Sequence, residues 1–255
     1  DWISDFRMPR FFINIVVALS ALTAISTIDA ARAPGSDTAN VIVRPLPADY
    51  EIHPDGAVTL RVCFNWSCFS REIITFTPED MATVSDHMAF CSGGSVHDRL
   101  QRVRIGIWRM EELAKKYVPV LANDQAINDQ DADLEGRTDC VDNATNTTNF
   151  LRVLSDLSLL GDLTVVAPRV RDRFDFGAVH WTAVVVDGQT GEQWSVDSWF
   201  RPHGHLPFVM PLDSWLAGKK GWEPPFDATN PYPRLVKQLC PTDPQSRMVQ
   251  AAPAR

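Results

Sequence analysis

Two apolar runs that face each other across a glycine turn constrain this chain more than any other feature. Residues 179–187 (VHWTAVVVD) are rich in β-branched and aromatic residues, the composition of a half-buried or buried strand. Gly188–Glu192 supplies turn chemistry, and Gln193–Phe200 (QWSVDSWF) returns with apolar and polar residues alternating. An antiparallel hairpin follows, and its apolar face must be covered. A chain of 255 residues, 45% of them hydrophobic, can supply that cover within a single domain.

Helical segments are spaced to do so. Thr77-Pro78-Glu79-Asp80 carries the chemistry of a helix start, with a hydroxyl cap, proline in the first turn and acids after it. That helix runs to about Phe90 and breaks at Ser92-Gly93-Gly94. Ser95, with Asp98 three residues on, opens a second helix, where Leu100, Val103, Ile107, Met110, Leu113 and Tyr117 form a core stripe. Pro119 ends it. Ala57–Phe76 reads as an earlier hairpin, and Asn123–Asp139 as a long polar, acidic loop. Cys140–Leu154 is helical, with Cys140, Ala144, Thr147, Leu151 and Leu154 along one face. Leu163–Ala167 is a short strand, Arg169–Arg173 a solvated loop and Leu212–Leu216 a short helix. The Pro-rich tail from Pro224 carries regular structure only over Arg234–Leu239. The pattern is α+β, a helix on an antiparallel sheet. The expected organisation is upstream residues and a leader over 1–33, an extended lead-in over 34–54, one domain over 55–245 and a disordered tail over 246–255.

The leader is legible in the first residues. Met8 and Arg10 precede an apolar, uncharged run, Phe11–Ile25, and the small residues Ala30, Ala31 and Ala33 follow. This is the pattern of a secretory signal peptide over about Met8–Ala33. The run falls short of the ~20 residues that span a bilayer, so no membrane span is expected after cleavage. The expected location is therefore periplasmic or secreted.

Export changes the meaning of the five cysteines, because thiols pair in oxidising compartments. With Asn65-Trp66 as a two-residue turn, Cys63 and Cys68 oppose each other on paired strands, within disulfide range. Cys91 with Cys240 is then the second pair, and Cys140 is left free.

Cys140 is also where the chemistry converges. It opens a helix, behind Thr138 and Asp139 as caps. The unpaired N–H groups and macrodipole there favour a thiolate, so its pKa is expected to fall. His180 opens the first strand of the late hairpin and Asp197 lies on the second, placed to hold one imidazole nitrogen while the other faces the thiol. Nucleophile, base and orienting carboxylate together make a thiol acyl-transfer site. Asp142 adds charge near the nucleophile, which either opposes thiolate formation or selects a cationic substrate group.

The stretches TDCVDNATN, HWTAVVVD and WSVDSWF resemble the transglutaminase-like superfamily, in particular its bacterial cysteine peptidases, over about Arg137–Phe200. The chain as a whole is also similar to an exported proteobacterial family. The resemblance implies a papain-like or transglutaminase-like core, with Cys140 as nucleophile, His180 as general base and acid, and Asp197 as orienter. It implies an exported amide or peptide hydrolase or transglutaminase-like enzyme, without cofactor or metal, acting on a peptide, protein or cell-wall amide. The alternative is a catalytically inactive exported binding module on the same fold. The crosslinking enzymes carry Gly-Gln-Cys-Trp where this chain has Thr138-Asp139-Cys140-Val141, which leaves the oxyanion donors open among the Cys140 N–H, Asn65 and Trp66.

Competing readings weigh less. His203-Gly204-His205 with His180 and Asp197 could ligate a metal, but the spacing is common in loops. Trp181, Trp194 and Trp199 read as core or cleft wall. The Asn65, Asn143 and Asn146 sequons read as inert. A net charge of −8 argues against a nucleic-acid partner, and none is expected.

Overall fold

The computed structural model describes residues 44–126, 133–172 and 179–218. The leader, the first part of the lead-in, Cys240, the Arg234–Leu239 segment and the tail lie outside the described residues.

The fold is α+β, with two antiparallel sheets. β1 (Tyr50–Ile52), β2 (Val58–Phe64) and β3 (Ser70–Phe76) form the first sheet in that order. β4 (Leu163–Asp172), β5 (Val179–Asp187), β6 (Gln193–Asp197) and β7 (Phe208–Pro211) form the second, also in chain order. Thr77 and Ser95 cap α1 (Pro78–Ala89) and α2 (Val96–Tyr117), and each pairs reciprocally with an Asp three residues on, as their spacing predicts. Pro119–Asn123 forms a 3-10 turn where α2 stops. Among the described residues, α3 (Cys140–Asp156) and α4 (Leu212–Leu216) complete the order. Among the described residues, no helix is long and apolar enough to cross a membrane.

α3 is the central element. It packs on β4, β5 and β6 of one sheet, on β2 of the other, and on α2. Phe150, Leu151, Val153 and Leu154 join the main core with Ala183, Val185, Val196 and the α2 stripe. The polar residues of α3 are buried too, because they serve as hydrogen-bond partners for neighbouring backbone. Asn146 accepts from the Cys63 N–H and donates to the Cys63 carbonyl, both at 2.8 Å. Thr145 and Asn149 accept from the backbone N–H groups of Leu46 and Asp49 in the lead-in. The sequons at Asn143 and Asn146 are therefore buried helix positions. α2 is anchored to the late hairpin by Arg99, whose Nη2 meets Asp187 Oδ2 at 2.6 Å with both side chains buried.

Three sequence expectations change. The lead-in contributes a strand, since β1 pairs Tyr50–Ile52 with Val58–Leu60. β7 is a fourth strand in a stretch that shows no alternation. The Arg169–Arg173 region belongs to β4 through Asp172: the register shifts between Val166 and Arg169 and then resumes, setting Arg171 opposite His180. Pro168 lies within that shift, and β4 is an edge strand, where a residue without an N–H is tolerated.

Candidate active site

Asp139 caps α3, its Oδ1 accepting the N–H groups of Val141 and Asp142 at 2.9 and 2.8 Å. Asp142 returns the bond, Oδ2 accepting the Asp139 N–H at 3.1 Å. The second oxygen of each carboxylate is taken by the β2–β3 connection. Asp139 Oδ2 accepts from the Ser67 N–H and hydroxyl, and Asp142 Oδ1 accepts the Cys68 N–H at 2.5 Å. Those donors point inward because Asn65, Trp66, Ser67 and Cys68 all have positive φ, at 62, 62, 54 and 56°. The expected two-residue turn is thus a left-handed turn of non-glycine residues, a conformation that costs roughly 1–2 kcal/mol per residue. The expected Cys63–Cys68 disulfide closes it, with Cα atoms 4.6 Å apart, but the two do not oppose each other on paired strands: Cys63 faces Arg71 and Cys68 lies in the turn before β3. Cys91 is disulfide-bonded as well, and its expected partner Cys240 lies outside the described residues.

Cys140 is free and buried, at 7% exposure. Its Sγ donates to the Val179 carbonyl at 3.7 Å, and the backbone N–H groups of Trp181 and of Cys140 itself lie against the sulfur. β6 pairs with β5 only from Ala183 onward, so the thiol occupies the edge of β5 that β6 leaves uncovered. Trp181 packs on Cys140, Val141 and Ala144, with Trp199 beside them. The expectation of a lowered thiol pKa is overturned: burial, with Asp139 and Asp197 adding negative charge, pushes it up to about 12. The helix terminus does not outweigh the loss of water.

His180 Nε2 meets Asp197 Oδ2 at 2.6 Å, both groups buried. The same oxygen accepts the Trp215 indole N–H at 2.8 Å. Three rings surround the imidazole, Trp199 and Phe200 with centroids at 5.0 Å and Trp215 at 5.3 Å. Among the described residues, none is a hydrogen-bond partner for the buried His180 Nδ1. The structure therefore joins His180 to Asp197 and sets Cys140 on the residues either side of His180, while the thiol bonds the Val179 carbonyl and not the imidazole.

Of the oxyanion donors considered, Asn65 is engaged, its amide donating to Ser70 Oγ and accepting the Gly136 N–H. The Trp66 indole N–H is buried and has no acceptor among the described residues. Asp142 is buried, and its two oxygens accept the backbone N–H groups of Asp139 and Cys68. Its pKa is raised by burial and then by the Asp139 charge. His180, Asp197, His203 and His205 do not form a ligand set. Among the described residues the grouping of ligand-type atoms is Cys63, Cys68 and Asp142, whose sulfurs are spent in a disulfide.

Sequence reasoning passed over a buried polar layer beneath the site. Ser198 Oγ bonds Asn143 Oδ1 at 2.8 Å and Thr147 Oγ1 at 3.0 Å, while the Trp199 indole donates to the Thr138 carbonyl at 3.1 Å. Glu111 accepts the Gly204 N–H, and Asp124 accepts the backbone N–H groups of Thr138 and His203. Burial raises Glu111 from 4.5 to about 8 and Asp124 from 3.8 to about 6, and it lowers His203 from 6.5 to about 3. The unfolded chain ionises both acids earlier, so their contribution to stability falls as pH rises through those ranges. His203 acts oppositely, costing stability as pH falls below 6.5. Above pH 6.5 Asp124 is already ionised in the fold, so the loss falls on Glu111 and on Asp142, whose pKa burial also raises. Thermal unfolding should occur about 5 °C or more lower at pH 8.5 than at pH 6.5, and Glu111→Gln should remove its own share of that difference while leaving that of Asp142. A melting curve independent of pH in this range would refute the assignment.

Compared with known proteins, the chain matches no family model, no curated protein and no solved structure.

Proposed function

We propose that this chain is an exported thiol-dependent acyl-transfer enzyme of the transglutaminase-like, papain-like kind, acting on a peptide, protein or cell-wall amide. One observation carries the reading. A free thiol at the N-terminus of α3 lies against the residues flanking a histidine whose Nε2 is tied to a buried carboxylate and whose Nδ1 has no partner among the described residues. Rotation of the Cys140 side chain exchanges the Val179 carbonyl for the imidazole. As sulfur attacks the substrate carbonyl, the thiol proton passes to Nδ1, and the Cys140 N–H supports the developing oxyanion. The C–N bond then breaks, the leaving amine takes the proton from His180, and water or a second amine releases the acyl group. With the thiol pKa raised, proton transfer accompanies attack and no resting thiolate is needed. Periplasmic or secreted location agrees with the Cys63–Cys68 disulfide.

The binding-module alternative is favoured by the burial of the thiol and its bond to Val179. Intact-mass analysis after exposure to an activated acyl ester separates the two. The enzyme reading expects one acyl group on Cys140 in the native protein and none in Cys140→Ala. Folded protein that stays unacylated supports the module.

A further inference from the structure

We propose that Trp215 is a positioning residue for the His180–Asp197 pair, its indole N–H selecting the carboxylate oxygen on which the imidazole is held. Its catalytic consequence rests on the acyl-transfer reading; its effect on the pair does not. Trp215 is fully buried on α4, beyond the resemblance that identifies the other site residues. Its Nε1 and His180 Nε2 converge on Asp197 Oδ2, at 2.8 and 2.6 Å. The indole is itself fixed. Arg171, opposite His180 on β4, lies 4.4 Å from the ring centroid and donates through Nη1 to the Trp215 carbonyl. Met210, Leu212 and Val184 pack the rest of the ring into a small apolar cluster.

Two consequences follow from elementary hydrogen bonding. A carboxylate only accepts, so neutral His180 carries its proton on Nε2 and keeps the Nδ1 lone pair for the thiol proton. A carboxylate held at one oxygen by a second donor also cannot rotate without breaking that bond, so the imidazole keeps its aim. The indole N–H draws on the charge of the same oxygen, so it competes with His180 Nε2 for that acceptor. Among the described residues, the charged and titratable groups around the imidazole are Asp197 from β6, Arg171 from β4 and the Cys140 thiol on α3, held at Val179 and Trp181. Of these, only Asp197 shares its bonding oxygen with Trp215.

The test is a titration of His180 by nitrogen-15 NMR in the full chain, without any acyl substrate. The native protein is compared with Trp215→Phe and with benzothienylalanine at position 215, an isostere that replaces the indole N–H by sulfur. Both variants should keep the native melting profile at pH 6.5 to within a few degrees and raise the His180 pKa by about 0.5–1 unit. If Cys140 acylates in the native protein, the acid limb of the acylation rate should move by the same amount. A His180 pKa unchanged to within about 0.2 units in a folded variant overturns the proposal. So does loss of the fold in the isosteric variant, which would make the N–H structural. Because the titration needs no turnover, it is decided separately from whether Cys140 forms an acyl-enzyme.

Discussion

On the proposed acyl-transfer reading, Asp197→Ala should slow acylation of Cys140 by about 10³–10⁴-fold, the scale on which a base and its orienting carboxylate act together. The size follows from what meets at one atom. Asp197 Oδ2 is the acceptor for both His180 Nε2 and Trp215 Nε1, so alanine leaves two buried donors without a partner. His180 then loses the constraint that keeps its lone pair on Nδ1, along with the charge that stabilises the imidazolium. Each orphaned donor also costs roughly 1–3 kcal/mol of stability. Asp197→Asn separates the two effects. The indole N–H requires an oxygen at that position, so the amide should seat its carbonyl there and keep the histidine tautomer while losing the charge. Its acylation rate should lie between those of the native protein and the alanine variant. Single-turnover acylation followed by intact mass, beside melting curves, reads both quantities. An alanine variant that acylates within about tenfold of the native rate removes His180 and Asp197 from the chemistry.

What was legible in the sequence is what depends on local pattern. Reciprocal caps announced α1 and α2, and a single face of apolar residues announced the buried side of α3. The late hairpin placed Asp197 within reach of His180, because period and turn length fix register. The missed features are long-range. β1 and β7 are short edge strands that exist because β2 and β6 offer partners, not because their residues alternate strongly. The charged stretch of β4 is a strand for the same reason, with β5 as template. Buried Asn and Thr on α3 look like a solvated face until β2 and the lead-in are seen to use them as partners. Trp215 carried one weak signal: a buried tryptophan needs an acceptor, and no sequence rule says which. The thiol pKa was misjudged because a helix terminus is a local property, whereas desolvation is set by everything that packs around the sulfur.

Replacing Cys63 and Cys68 together by alanine should destabilise the fold by roughly 2–4 kcal/mol, a fall of about 5–15 °C in Tm. A disulfide closing so short a loop contributes only about 2 kcal/mol through the unfolded chain. The rest comes from what the turn does for α3. Asn65–Cys68 hold positive φ only while something rewards it, and the rewards are the disulfide and the two carboxylates that accept from Ser67 and Cys68. Without the disulfide the turn can return to ordinary backbone angles, and the inward N–H groups leave Asp139 and Asp142. Asp139 is also the cap of the helix that carries Cys140, so the loss reaches the site through one residue. Hydrogen exchange at the Val141 and Asp142 amides should therefore rise in the double variant, while amides in the middle of α2 change only by the global loss of stability. Acylation of Cys140 should slow with the fraying of that first turn. Ser67→Gly provides the contrast: it relieves one strained residue but gives up the hydroxyl bond to Asp139, so its net effect on Tm should be small. A double variant with native protection at Val141 and Asp142 would show that the helix carrying Cys140 does not depend on the turn.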